Sequence, residues 1–543
     1  MEEESPLYTI SDPIPLSVLL FSVIQHFFSL SVLMLYPVII ATAAGQEMQI
    51  AEHLISMTLL VCGIGTLLQA STKTGSGCTM PIIPTSSYFP ASFLAIQMGG
   101  LSLLHSMLIF TGLIEILFSR FSRWFRMIFP PEVIGVVLFL VGMSIVGFVI
   151  PLFFGVYNTH SSLHVPSLCV GIITLGSMIC FHLLPSQIFR HYVVLLGIIV
   201  GYVSSLVLGI LSLSSFEALL HLPLIRVPHF VPIEYAIDLS LIIPFTIAMI
   251  CVMLKSVSNI AVINTHCSRS DPNQVHVRRG VCAEGVANSL SGILGGVGVG
   301  MSSTNTGLIL ATGIASRWIG IALGFVLLAA AFFPMLTGIL YIMPEPVMGA
   351  VLLYVIVFLM IQGLQLIVSR HLSLKRTFVV VLPMIFGFST SASPWVYADL
   401  PFSISPIFAS PLTIGALSVI FLGFIMRIGT RSERNIVIDV TKEAMHKSVF
   451  HFFEECGDVW TMDRMQVSVL ASAVDQILHQ IAGGLSSHDI VIRVHQQEQK
   501  ELIEVSISYV GECLRNEDLI RYARGALVVH QDEGFMSFVY SLQ

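Results

Sequence analysis

Residues Gly295–Gly313 read GGVGVGMSSTNTGLILATG, with four glycines in the six positions Gly295–Gly300. Glycine loses the most backbone freedom on ordering, so this is a poor helix. Yet it lies between apolar segments, in a chain whose other apolar runs have the length of membrane helices. Irregular backbone at membrane depth persists only where protein or a water-filled cavity satisfies its polar groups. A second interruption, Gly75–Pro90 (GSGCTMPIIPTSSYFP), carries three prolines and a run of hydroxyls, again between apolar segments. Two interrupted segments in corresponding positions of two halves point to the binding site of a secondary transporter.

Composition agrees with a membrane protein. Of the 543 residues, 55% are hydrophobic and 10% charged, against roughly 25% charged in soluble domains. Residues 1–434 carry a net charge of +1 and residues 435–543 a net −8. A near-neutral apolar body followed by an acidic polar tail reads as a membrane domain and then a soluble one. The N-terminus, MEEESPLYTISDP, lacks the basic start of a secretory signal. Nine cysteines without a C-x-x-C spacing read as small buried hydrophobes, so neither a metal nor another cofactor is expected. No basic patch suggests nucleic acid, and no acid–base pair or nucleophile motif suggests an enzyme.

Apolar runs approaching the ~20 residues that cross a bilayer cover 15–41, 50–70, the broken 75–98, 101–118, 131–152, 165–184, 192–213 and 239–262. The second half continues with 280–296, the broken 295–313, 318–342, 346–368, 378–390 and 413–428. The fold class expected is therefore an all-α polytopic membrane protein of about fourteen segments, seven plus seven. With the N-terminus in the cytoplasm, fifteen of the seventeen basic residues before position 435 fall inside. Arg226 lies outside and Lys255 within a span. Both termini are then cytoplasmic, and 157–164 and 392–401 are external. The expected division is a cytoplasmic N-terminal tail over 1–14, a transporter domain over 15–430 and a small cytoplasmic α/β domain over 431–543.

In the tail, NIVIDV, DIVIRV and ELIEVSISYV alternate as strands, while Thr441–Glu455 and Met462–Ile481 repeat apolar residues at helical spacing. The stretch DRMQVSVLASAVDQILHQIA faintly resembles the helix of histidine-kinase-like ATPase domains that carries an acid and an asparagine. Ser472 and Gln476 stand at those positions, and no glycine-rich lid follows. The resemblance therefore argues against ATP binding, and a regulatory or dimerising module is expected.

Asn305-Thr306-Gly307, then four residues, then Thr312-Gly313 resembles the N-x-G-x4-T signature of the nucleobase–cation symporter-2, or nucleobase–ascorbate transporter, family, which includes the xanthine and uracil permeases. Gln25-His26 looks like the family's Q-H pair, Thr85-Ser86-Ser87-Tyr88 like the G-S-S-F of its third segment, and Glu284-Gly285 like the Asp-Gly of its ninth. The resemblance implies an inverted repeat divided into core and gate domains. It also implies a homodimer, an elevator-like motion, and a solute held between the half-helices of segments three and ten. Free N–H groups at two facing helix N-termini suit acceptor oxygens or anions. On this basis the candidate substrate contacts are Ser87, Tyr88, Phe89, Lys255, Thr304 and Asn305. The candidate proton relay is His26, Glu284 and Asn259, and Gly307, Thr312 and Gly313 complete the signature.

The departures carry as much weight. Matching LKSVSNI (Leu254–Ile260) to the family's A-E-x-x-G-D pattern puts Lys255 where the substrate-binding glutamate belongs and Asn259 in place of the aspartate. Thr304 stands where relatives carry Glu, Gln or Pro. A carboxylate accepts hydrogen bonds, whereas an ammonium only donates, so the site has changed sign. An ionisable group within a span is a functional hypothesis by default. The competing readings are structural: hydroxyls that satisfy backbone, a Lys255 that snorkels or pairs with Glu284, and a His26 buried as a core histidine. Glu115, near a helix end, is expected to pair with a nearby arginine.

These readings converge on proton-coupled secondary transport of a xanthine-, urate- or uracil-like solute, anionic when bound, across a bacterial inner membrane. Two alternatives stay open. One is an anion carrier or exchanger of the related sulfate-permease architecture; the other is a non-transporting sensor that signals through the tail.

Overall fold

The computed structural model describes residues 7–31, 34–45, 48–121, 131–156, 164–185, 187–220, 222–228, 234–267, 274–368, 374–397, 399–401, 405, 408 and 410–427. Of the remainder it describes 433–439, 445–460, 464–481, 489–497, 502–508, 526–532 and 535–541. Residues 157–163 of the expected external loop lie outside these residues, as do Arg123, Arg126, Arg269, Arg370 and Arg431, five of the fifteen basic residues behind the orientation argument. Contacts divide the chain into two units. One holds Met1–Phe129, Ile134–Leu364 and Leu382–Val419; the other holds Pro130–Val133, Gln365–Val381 and Ile420–Gln543.

Apolar helices make up the first unit, and four of them extend into the second. In order they are α1 (Leu16–Ser31), α2 (Leu35–Ala43), α3 (Met48–Ala70), α4 (Phe89–Phe118), α5 (Pro131–Phe154), α6 (Val165–Leu183), α7 (Gln187–Val207) and α8 (Leu213–Leu220). There follow α9 (Ile242–Cys267), α10 (Gln274–Leu294), α11 (Ser303–Thr312), α12 (Arg317–Ala330), α13 (Pro334–Tyr341), α14 (Glu345–Val368), α15 (Leu374–Ala392) and α16 (Pro411–Arg427). Among the described residues, six helices are long and apolar enough to cross a membrane, and α12 with α13 would make a seventh, bent by 78°. Those six include α3, α4, α5, α6, α9 and α14.

Proline punctuation explains where the structure departs from the expected runs. The run 15–41 is two helices, because Pro37 sits in the first turn of α2, where its missing N–H costs no helical bond. Likewise 318–342 breaks after Ala330, and Pro334 opens α13.

Two short strands interrupt this helical frame. β1 (Ile82–Pro84) follows α3, and β2 (Val299–Met301) follows α10. Each leads into a helix of about three turns. After β1, a 3-10 turn over Ser86–Tyr88 runs into α4, whose helical geometry fails at Gly99 and Gly100, the latter with φ +70°. After β2, α11 ends on Gly313, with φ +67°. Gly313 adopts the left-handed backbone that stops a helix, and Gly100 a positive-φ extended backbone that glycine alone takes readily. Residues of the N-terminal stretch bind this end of α11: Tyr8 N donates to Gly313 O, and Ala315 N to Tyr8 O. Ser316 Oγ also donates to Asp12 O at 2.6 Å.

The second unit contains β3 (Glu433–Asp439), α17 (Met445–Trp460), α18 (Arg464–Ile481), β4 (Asp489–Gln497), β5 (Leu502–Ser508), β6 (Ala526–Asp532) and β7 (Phe535–Ser541). The strands form one antiparallel sheet in the order β3-β4-β5-β7-β6. Along β4, Ile490, Ile492 and Val494 are buried while Arg493 is exposed, the period-two pattern of a strand with one face covered. That face packs with Val449 and Phe453 of α17 and Val474 and Ile477 of α18. Positions 441–444 of the expected first tail helix lie outside the described residues, and β6 and β7 are strands beyond those read from sequence. Within the same unit, Arg376 donates to Gly457 O at 3.0 Å and stands 3.7 Å from Glu132.

Candidate functional site

The two interrupted segments meet through their strands. β1 and β2 pair antiparallel, Ile82 opposite Met301, Ile83 opposite Gly300 and Pro84 opposite Val299. All six residues are buried, so the backbone groups that face away from the partner strand must find side chains. They do. Met301 N donates to Glu284 Oε1 at 2.7 Å, and Val299 N to Asn288 Oδ1 at 2.9 Å. Ile82 N donates to Thr66 Oγ1 at 3.0 Å, and Val297 N to Thr58 Oγ1 at 3.2 Å. Glu284 and Asn288 lie four residues apart on one face of α10, and Thr58 and Thr66 eight apart on one face of α3. Gly298 is required by space, since a Cβ there would meet the Tyr88 ring at 2.5 Å.

Lys255 comes to this crossing from α9. It is half-buried, and its Nζ donates to Thr85 Oγ1 at 3.1 Å, at the exit of β1. Among the described residues it forms no salt bridge. Gly300 lies beside both neighbours: a Cβ there would stand 3.2 Å from Glu284 Oε1 and 3.4 Å from the Thr85 methyl. One turn further along α9, Asn259 Nδ2 donates to Ser303 Oγ at 3.1 Å, tying this helix to the N-terminus of α11. The exposed residues on these two helices include Ser258, Thr304 and Gly307, and Lys255 and Ser303 are partly exposed.

Asn305 is not among them. It is fully buried. Ser302 caps α11 by accepting from Asn305 N at 3.3 Å, and its hydroxyl donates to Asn305 Oδ1 at 2.6 Å. Asn305 Nδ2 meets His26 Nδ1 at 2.5 Å, and His26 is itself buried. Ser87, Tyr88 and Phe89 are likewise packed away. Phe89 sits among Tyr36, Phe93 and Phe148 with ring centroids 5.5–6.3 Å apart, and Tyr88 leans on Phe245 at 6.4 Å.

Thus Lys255, Asn259, Asn305, His26 and Glu284 gather around the strand crossing, while Thr304 and Gly307 are exposed on α11. Thr312 and Gly313 end α11, where Thr312 Oγ1 donates to Leu308 O at 2.9 Å. Thr85, Ser302 and Ser256 were not among the sequence candidates. Thr85 was visible as the first hydroxyl of its run, and Ser302 as a helix-capping serine before a polar turn. Glu115 is corrected. It is fully buried and accepts from Asn288 Nδ2 at 3.0 Å, and among the described residues no arginine pairs with it. The cause is the close approach of α4 and α10, where a Cβ at Gly285 would stand 2.8 Å from Gly112 O.

Known proteins align with this arrangement. The chain is 28% identical to xanthine permease XanQ of Escherichia coli (strain K12), over 80% of this chain and 96% of that one. It is 24% identical to uric acid permease PucJ of Bacillus subtilis (strain 168), over 74% and 90%. Among solved structures, the murine Slc26a9 anion transporter in its inward-facing state matches with a TM-score of 0.51 at 11% identity, covering 79% of this chain and 71% of that one. The helical frame is therefore a membrane-transporter fold, and the protein is integral to a membrane. The profile described as Permease family matches residues 16–396, and the chain belongs to that family, the nucleobase–ascorbate transporters that its Asn305–Gly313 signature resembles.

Proposed function

We propose that this protein is a secondary transporter of a purine- or pyrimidine-type nucleobase, bound as an anion, in a bacterial plasma membrane. The observation that carries the anionic reading is Lys255, which reaches the β1 exit and, among the described residues, forms no salt bridge. Its ammonium has three N–H donors, and Thr85 takes one. The α11 N-terminus adds a positive dipole end to the same region. Thr304 and Ser258, both exposed, supply hydroxyls that can donate or accept at a heterocycle's edge. Ser87, Tyr88, Phe89 and Asn305 act from behind, fixing the backbone that frames the solute.

The finer architecture of this reading is fourteen segments as two inverted sevens, a core that moves against a gate, a homodimer and cytoplasmic termini. Protons drive the cycle, with Glu284 and His26 as the titrating groups and Asn259 as the neutral link between α9 and α11. The antiparallel strand pairing supports the inverted repeat, since it sets the two broken segments in opposite directions. The likeness to an anion transporter concerns the fold alone, so inorganic anions enter as competitors in the test.

In a water-poor site, removing a charged hydrogen-bond partner costs about 2–4 kcal/mol, or about 30- to 1000-fold in affinity. Ligand-induced thermal shifts with urate, xanthine, uracil, sulfate and bicarbonate measure the preference. We expect stabilisation by urate or xanthine, lost in Lys255→Met with the fold intact. Stabilisation by inorganic anions alone would reject the nucleobase reading, and unchanged affinity in Lys255→Met would make this lysine structural.

A further inference from the structure

The link between α11 and α12 brings two helix ends into one short stretch. The last carbonyls of α11 and the first N–H groups of α12 have no partner within their own helices. Ala315 and Ser316, between them, are fully buried, so the backbone here needs partners from elsewhere. The N-terminal stretch supplies them. Tyr8 N donates to Gly313 O at 3.1 Å, Ala315 N to Tyr8 O at 3.0 Å and Arg317 N to Ile10 O at 3.0 Å, and Tyr8 lies opposite Ile314 in a parallel bridge. The stretch then turns back. Thr9 N donates to Asp12 Oδ2 at 2.8 Å, and Asp12 O accepts from Ser316 Oγ at 2.6 Å. Ser316 also reaches the other broken segment: its carbonyl accepts from Thr79 Oγ1 at 2.8 Å, and the same hydroxyl accepts from Gly320 N at 3.3 Å.

The bonds to Gly313, Ala315 and Arg317 run between main chains. This is strand addition to an edge, made by the chain on itself. Pro13 and Pro15 lead from it into α1, whose His26 meets Asn305 near the start of α11. Residues 8–26 therefore grip α11 at both ends.

We propose that Tyr8–Asp12 is a strap that sets solute affinity by holding the far end of α11, the half-helix whose first turn carries Thr304. The proposal rests on the functional reading above and adds to it a segment that touches no solute. Its action is positional. A helix of about three turns that is gripped at both ends has one direction. With the strap undone, α11 keeps its anchor at Asn305 and pivots about it. That movement re-aims the N–H groups of its first turn and pulls Ser303 from Asn259 Nδ2, which it meets at 3.1 Å.

The test is hydrogen exchange on the purified full-length protein in detergent, read by mass spectrometry in fragments spanning Gly313–Ile319, with urate affinity measured by calorimetry. The Ala315 and Arg317 amides are slow in wild type. Removing residues 1–12 speeds them by about tenfold and weakens urate binding by about tenfold, the worth of one hydrogen bond. Tyr8→Pro, which lacks the N–H that Gly313 O accepts, exchanges faster here than Tyr8→Ala, which keeps it; this pair decides where the shortened chain does not fold. Equal exchange in the shortened chain and wild type overturns the strap, as does Tyr8→Pro matching Tyr8→Ala. Faster exchange with unchanged urate affinity overturns its hold on the solute. If wild type binds no nucleobase, the functional reading fails. Exchange alone then decides the strap, and fast Ala315 and Arg317 amides in wild type overturn it.

Discussion

In the function proposed above, Lys255 and Thr304 are the two positions at which the solute clamp departs from the one that the family resemblance implies. Restoring acceptors at both should therefore change which solute is preferred. Lys255→Glu combined with Thr304→Gln is expected to weaken urate and favour neutral bases such as xanthine or uracil. Competition among the three for binding measures this, and an unchanged order of preference would remove both residues from the site. The lysine was legible because an ammonium within an apolar run has few bland explanations. Its partner was not, because Thr85, Ser86 and Ser87 offer the same hydroxyl, and only the register of β1 selects the first of them. Glu115 was misread for a related reason. Its distance along the chain from Arg120 is short, but the glycines at 112 and 285 bring α10 against α4, and this is invisible without tertiary contacts. Asn305 shows the opposite case. Its place in the signature marked it, yet in the structure its N–H donates to the capping Ser302 and its side chain holds His26. Ser302→Ala removes that cap and should cost roughly 1 kcal/mol of stability, read as a lower melting temperature in detergent. An unchanged melting temperature would mean that the α11 N-terminus needs no side-chain cap.

At the scale of elements, the unit of construction is helix, strand, half-helix, used twice. The glycine and proline content of both interruptions signalled that a helix could not continue there. What the sequence could not show is that the two strands pair, because three residues each is too little alternation to read. Their dependence on tight packing is testable at Gly298. A methyl there would enter the Tyr88 ring unless a strand shifts. Gly298→Ala is expected to destabilise by about 1–3 kcal/mol and to weaken ligand binding, because the strand it displaces also orients Thr85. A melting temperature equal to wild type would show that the ring yields freely. In the tail, β3, β4 and β5 were legible from alternation. β6 and β7, seven residues each like β3 and β5, were missed, although FMSFVYS carries apolar residues at every second position from Met536 to Tyr540.

For the molecule as a whole, the expected topology leaves residues 392–401 outside. A cysteine introduced at Ser393 should then react with an impermeant reagent on intact cells, whereas labelling only after permeabilisation would invert the arrangement. The tail makes its own prediction: Ser472 and Gln476 cannot supply the acid and amide of an ATP site, so the full-length protein should show no ATP binding by calorimetry at micromolar concentrations. The pairing of β1 with β2 reaches further, into synthesis itself. Ile82 and Met301 are 219 positions apart, and at about 5–20 residues per second the ribosome takes on the order of 10–40 s to deliver the second after the first. Throughout that interval the first strand has entered the bilayer with no partner, and its unpaired backbone cannot face lipid. The half-made protein must therefore shelter this segment inside the insertion machinery or against its own first helices. A chain truncated before Val299 can never close the crossing, and membrane proteases should clear it faster than one that ends just after Gly313.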